Sequence, residues 1–484
     1  MNINFAKETI LDLFQKGLFL NVIKTLSNSN LNSDELFLLV ESFLEINEKV
    51  LANEYLSKWK NLIITDLEKF QWSILYAWYL NKEGEYDKAL TVLDEQSEHL
   101  DQFKGDLLTF KLILVKIDIY LSLGMKTDAE ALIGFFKNFN PAISKKHKIF
   151  NIKYHLMLLD FRWGSGYNLN ELLERNSQAL ELLTFEHFAY RALLLKHRAV
   201  ILHNQGYYDS AMKLYQESQK LSEKTGLNEN IGILQNNIAT IYHHKGYYES
   251  AYQFYQKANE MLSGKGFSIY LAIIHLSLVE VMIDLEMDVK NHQIIKSFPN
   301  VHKSPINKAY YDYIDALIAY QEKNFGVASV IWKRILTIDG IAFSVKLIAY
   351  EKLTDIQLKE WQISKAKEEK LKLYKILDEW EKFCEDNKSY PGLIKNLLLR
   401  SKFDSSEFNF SSALERLEQC ITIAEDVGLP LHKKLAEDEY KNITEQKQLI
   451  NSMFNVDKET MQENKINEFK EYLKDLSRIL GQQQ

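Results

Sequence analysis

The phrase GYYDSAMKLYQ begins at Gly206, and its near-copy GYYESAYQFYQ begins at Gly246. A phrase written twice at a fixed distance restricts the fold more than any composition does, because equal spacing means equal surroundings for each copy. LLLKHRAVILHNQ precedes the first copy and ILQNNIATIYHHK the second. Both read as amphipathic helices that stop at the glycine. Ile238, Ala239 and Tyr242 align with Arg198, Ala199 and Leu202, and beyond the glycine Ala251 and Tyr255 align with Ala211 and Tyr215. The unit is helix, tight turn, helix. Gly206 and Gly246 supply the left-handed residue that ends the first helix. Tyr208 and Tyr248 open the second helix, with Asp209 and Glu249 at its positive end. Ala211 and Ala251 are small where two helices approach, and Tyr215 and Tyr255 lie one turn further along the same face.

The pattern runs along most of the chain. Its alanines stand at 52, 89, 129, 211, 251, 328 and 413, at intervals of 37, 40, 82, 40, 77 and 85 residues. The longer intervals hold two units each. Weaker copies fill them near 166–176, 284–295 and 361–370, and KGLFLNVIKTL at 16–26 opens the series. Roughly eleven helix pairs over 4–450 result. One pair cannot bury its apolar stripe alone, so pairs stack, with contacts expected only between neighbours.

These residues resemble the tetratricopeptide repeat family: a large residue beside a small one and then an aromatic on the first helix, followed by alanine and an aromatic four residues later on the second. The chain departs from that pattern. No tryptophan opens the first helix, no proline closes the unit, Arg198 stands where leucine is usual, and the period is 40 rather than about 34. The longer period resembles the variant of large signalling and regulatory proteins. The resemblance implies an all-α fold, an α-solenoid wound as a right-handed superhelix with first helices lining its inner surface. The organisation expected is a solenoid over 1–283, a degenerate repeat and bend over 284–306 that holds Pro299 and Pro305, a second solenoid over 307–450, and a linker with an amphipathic helix over 451–484. In that helix Ile466, Phe469, Leu473, Leu476 and Leu480 form one stripe. It reads as a cap on the last pair, as a dimer or partner contact, or as a ligand for the protein's own groove.

Composition narrows the function. Five prolines and 18 glycines in 484 residues leave little to interrupt helices, and 46% hydrophobic residues exclude a disordered chain. A net charge of −7 with interspersed signs gives no footprint for nucleic acid. Clusters such as Lys145, Lys146 and Lys148, or Lys365, Lys367, Lys370 and Lys372, read as solvated faces, with an acidic partner as the alternative. Cys384 and Cys420 are too few and too far apart for a disulfide framework or a zinc site. The first residues, MNINFAKETILDLF, lack a signal-peptide core, and no apolar run is long enough to span a membrane. The expected location is the cytoplasm.

No catalytic constellation stands out, so no enzyme activity, cofactor or metal is expected. GSGY at 164–167 is too short for a phosphate loop, and the adjacent His243 and His244 point about 100° apart on a helix. The partner expected is a protein or peptide, with no nucleic acid. On the first helices, Lys196, Val200 and His203 share a face, and Asn236, Thr240 and His243 repeat it in the same register. Lysine meets a carboxylate, and asparagine both donates to and accepts from a peptide backbone. These six are the candidate binding residues of an interaction scaffold or adaptor. The alternative is a ligand-responsive regulator. Tetratricopeptide sensors of bacterial peptide signals resemble the chain in repeat type and length, although repeats that start by residue 17 leave no room for their N-terminal effector module.

Overall fold

The computed structural model describes residues 2–27, 31–96, 107–123, 125, 127–134, 148–163, 169–263, 269–289, 305–337, 343–386 and 389–454. The expected linker and C-terminal stripe beyond 454, the core of the bend at 290–304, and GSGY at 164–167 lie outside them. Among the described residues the regular structure is helical, with no strand. The pairs are α1 (Asn2–Gln15) with α2 (Phe19–Leu26), α3 (Ser33–Glu45) with α4 (Lys49–Lys60), and α5 (Asp66–Lys82) with α6 (Tyr86–Asp94). Next, α7 (Leu107–Leu123) precedes a helical stretch at 127–134, and α8 (Lys148–Trp163) precedes α9 (Leu169–Glu181). The two clearest repeats are α10 (Phe188–Asn204) with α11 (Tyr208–Thr225) and α12 (Asn228–His244) with α13 (Tyr248–Leu262). They are followed by α14 (Ile269–Asp284), α15 (Pro305–Gln321) with α16 (Phe325–Thr337), α17 (Phe343–Ser364) with α18 (Lys367–Asp386), α19 (Tyr390–Ser406) with α20 (Phe410–Asp426), and α21 (Pro430–Phe454).

One turn joins the members of a pair. Gly17, Asn47, Gly84, Gly206, Gly246, Lys323, Lys365 and Phe408 all have positive φ, and in each case the second helix starts two residues later. At all of these turns except Lys365, the amide after the left-handed residue reaches back five residues, as in Tyr207 N to Leu202 O at 2.8 Å and Tyr247 N to Tyr242 O at 2.9 Å. That bond satisfies a carbonyl the helix end would leave open. Helix starts are marked as well. Asn32 with Glu35 and Thr65 with Glu68 form capping boxes. Pro305 and Pro430 are the first residues of α15 and α21, where a missing amide costs little.

The small positions are where the helices meet. Ala52, Ala89, Ala129, Ala211, Ala251, Ala328 and Ala413 are all fully buried, as are Tyr215 and Tyr255 one turn on. Cys420 occupies the small position later in α20, is equally buried, and is a free thiol like Cys384. The described residues therefore form an all-α array of helix–turn–helix pairs, an α-solenoid in type.

By contacts the chain divides into two units. The first comprises 1–164, 172–203 and 207–346; the second comprises 347–484 with the short segments 165–171 and 204–206. In the second unit, Trp361, Leu373, Leu377, Trp380 and Phe403 form a core across α17–α19, and Arg400, buried, holds Asp378 at 2.6 Å and Glu381 at 3.0 Å.

The first unit corrects the expectation that only neighbouring pairs touch. Ala189, Ala192 and Leu227 belong to the same core as Phe14, Phe19, Leu39 and Trp59, so α10 packs on the first two pairs. Lys16 Nζ lies 3.1 Å from Glu186 Oε2, the Phe188 amide donates to Lys16 O at 3.0 Å, and Lys82 reaches Glu229 at 3.6 Å. Pairs distant in sequence thus meet within this unit. Among the described residues, no helix is long and apolar enough to cross a membrane.

Candidate functional site

The candidate face belongs to α10 and α12. Their last turns lie side by side, because His203 Nε2 is 3.2 Å from His244 Nδ1. The contact recurs one repeat later, where His243 Nε2 lies 2.5 Å from Asp284 Oδ2. Both links step by 41 residues rather than 40, so each residue meets the one just past its equivalent. His203 therefore faces His244 and not His243, and the two candidate histidines stand at successive joints. Tyr208 and Tyr248 present ring edges to them, at 5.5 and 5.6 Å between centroids. Burial, and then the neighbouring His244, push His203 down to about 3. It is a neutral joint at physiological pH and has no role as an acid-triggered contact near pH 6.

Two more of the six residues also serve packing. Val200 lies against the core formed by Ala199, Ala211, Tyr215, Leu234 and Ile238. The Thr240 hydroxyl donates to Asn236 O at 3.0 Å and accepts from the Tyr255 hydroxyl at 3.1 Å, which ties α12 to α13.

Lys196 and Asn236 differ from these. Lys196 is only 7% exposed, yet its ammonium makes no ion pair or hydrogen bond among the described residues. Its charge is felt next door: burial first, and Lys196 second, hold His197 well below the ordinary imidazole range. Asn236 is 8% exposed. Its Nδ2 reaches only the adjacent Asn237 Oδ1 at 3.4 Å, and its Oδ1 is buried with no partner. Buried polar groups are nearly always satisfied, so the orphaned Asn236 acceptor calls for a partner, and the unpaired Lys196 cation stands on the preceding first helix.

A second polar centre in the first unit escaped the spacing argument. Glu41 of α3 is 2% exposed and forms an ion pair with Lys111 of α7, itself 8% exposed. Lys153 of α8 lies 3.2 Å from Glu41 Oε1 and 2.8 Å from Glu45 Oε1. The Phe37 ring lies 4.5 Å from the Lys111 ammonium, and the Tyr190 ring 5.9 Å from that of Lys153. Burial pushes Lys111 down to about 8 against the pull of Glu41. Glu41 is held below the ordinary carboxylate range although burial opposes it, because both lysines favour its charge. The sequence did carry a signal, since Glu41 and Lys111 each interrupt a long apolar run, LFLLVESFL and LLTFKLILV.

Redox or nucleophilic chemistry finds little support at the cysteines, whose thiols burial pushes up to about 12. Among the described residues, no three His, Cys, Asp or Glu side chains are grouped to hold a metal ion.

No protein-family model matches the chain, and no curated protein matches it. Solved structures of similar fold include a Rap protein complexed with competence and sporulation factor, at 13% identity and TM-score 0.44 over 79% of this chain and 99% of that one. A signal-transduction ATPase with a tetratricopeptide repeat sensor from Pyrococcus horikoshii is similar at 15% identity and TM-score 0.38, over 75% of this chain and 53% of that one. The human IFIT1 dimer with PPP-AAAA is similar at 14% identity and TM-score 0.38, over 84% and 95%.

Proposed function

We propose that the protein is an interaction module that binds a peptide segment or a partner helix against the first helices of its first unit, with Lys196 and Asn236 as polar anchors. The observation that carries this reading is that both side chains are more than nine-tenths buried while Lys196 is unpaired and Asn236 Oδ1 is orphaned. A carboxylate satisfies Lys196, and a backbone amide satisfies Asn236 Oδ1. Val200 packs on the core between the two helices, Thr240 ties α12 to α13, and His203 and His243 stand at the joints on either side.

A site built for an absent ligand is stabilised when its unsatisfied group is removed. The test starts by selecting peptides from a random display library on the intact chain and then measures their affinity for Lys196→Met. Methionine keeps the aliphatic stem and loses the charge. Affinity should fall at least about tenfold, or 1.4 kcal/mol, while the melting temperature stays equal or rises. Unchanged affinity, or a large loss of stability, would remove Lys196 from the site.

A further inference from the structure

We propose that Glu41 acts as an internal ligand: its carboxylate occupies an anion receptor formed by Lys111 and Lys153, and an acidic side chain of a bound peptide competes with it. The four groups of the cluster come from three first helices, α3, α7 and α8, which stand far apart in sequence, with Tyr190 of a fourth, α10, beside them. Lys111 has Glu41 as its ion-pair partner and Phe37 beneath it, so it depends on that one carboxylate. Lys153 is shared between Glu41 and Glu45. Losing Glu41 leaves two buried ammonium groups facing each other with only Glu45 to balance them, and like charges at that range repel strongly in a poorly solvated interior. An incoming carboxylate that replaces Glu41 keeps the charge balanced while freeing α3 from α7 and leaving Glu45 as its ionic link to α8. Occupancy and the spacing of those helices then form one equilibrium, as a ligand-responsive protein requires. This inference rests on the reading of the first unit as a peptide-binding surface, but its first test does not.

Glu41→Ala creates a vacancy that fits a small carboxylate. In the intact chain, amides of α7 and α8 should exchange at least about tenfold faster in Glu41→Ala than in the parent, and propionate should reverse this where chloride at equal ionic strength does not. The triple variant Glu41→Ala, Lys111→Met, Lys153→Met should show no response to propionate. If Glu41→Ala does not fold, Glu41→Gln, nearly the same shape, takes its place for the exchange comparison. Equal exchange in that variant and the parent, or a folded Glu41→Ala indifferent to propionate, overturns the receptor. Peptides selected on the parent should bind Glu41→Ala at least about tenfold more tightly. Equal affinity overturns competition and leaves the peptide surface standing, whereas propionate rescue with no peptide bound anywhere leaves the receptor standing and defeats the peptide reading.

Discussion

At the scale of single residues, the turn between paired helices is set by backbone conformation, and glycine is only one way to meet it. Gly17 and Gly246 share nearly the same conformation, φ 71° and 77°, but not the same surroundings. A Cβ at Gly246 meets nothing within 4 Å, whereas one at Gly17 comes within 2.4 Å of Ala189 Cβ. Gly246→Ala should therefore cost only the left-handed strain of about 1–2 kcal/mol, and Gly17→Ala roughly 1–3 kcal/mol more for the clash. Urea titrations of the two variants check this; equal losses would mean that α10 does not pack on the first pair. Glycine made the turns at 84, 206 and 246 legible in the sequence. The same turns at Asn47, Lys323 and Phe408 are located only through the alanine five residues on, because Lys and Phe give no signal of positive φ and Asn only a weak one. Phe408 is the least expected, since a bulky side chain is strained in that conformation.

At the scale of helices, buried imidazoles serve as joints and make the packing sensitive to acid. His275 on α14 is 3% exposed, with Nδ1 2.9 Å from the Tyr311 hydroxyl on α15 and Nε2 2.9 Å from Asn259 Oδ1 on α13. The amide oxygen can only accept, so Nε2 carries the proton and Nδ1 accepts from Tyr311. Burial holds His275 down to about 4, below the ordinary value near 6.5. Below pH 6.5 the unfolded chain takes up a proton that the folded joint refuses. The stabilisation is complete above that pH and is lost as pH falls towards 4, up to about 2 kcal/mol between pH 6.5 and 5. Exchange of amides in α14 and α15, corrected for intrinsic rates, should speed up over that interval, and His275→Gln should blunt the change. An acid response identical in the variant would place the sensitive group elsewhere. Helix order, pairing and the buried alanines were readable because each follows from local periodicity. The 41-residue step of the joints was not, because it reflects the stagger between stacked helices, which a 40-residue period does not encode.

At the scale of the molecule, the first unit is more than a row of neighbours. The Lys16–Glu186, Lys82–Glu229 and Lys153–Glu41 contacts join pairs widely separated in sequence. Nothing in the spacing of residues announces such contacts, which arise only once the stacked pairs bring distant first helices together. Lys196 and Asn236, expected on an open polar face, are nearly enclosed, which would make their contacts with a partner selective. The proposed partner occupies the face shared by α10 and α12. Hydrogen exchange of the full chain, measured with and without a selected peptide, tests it most directly. Protection should concentrate in Phe188–Asn204 and Asn228–His244, should be lost in Lys196→Met, and should leave α20 unchanged. Protection confined to any other helices, with these two unaffected, would contradict it.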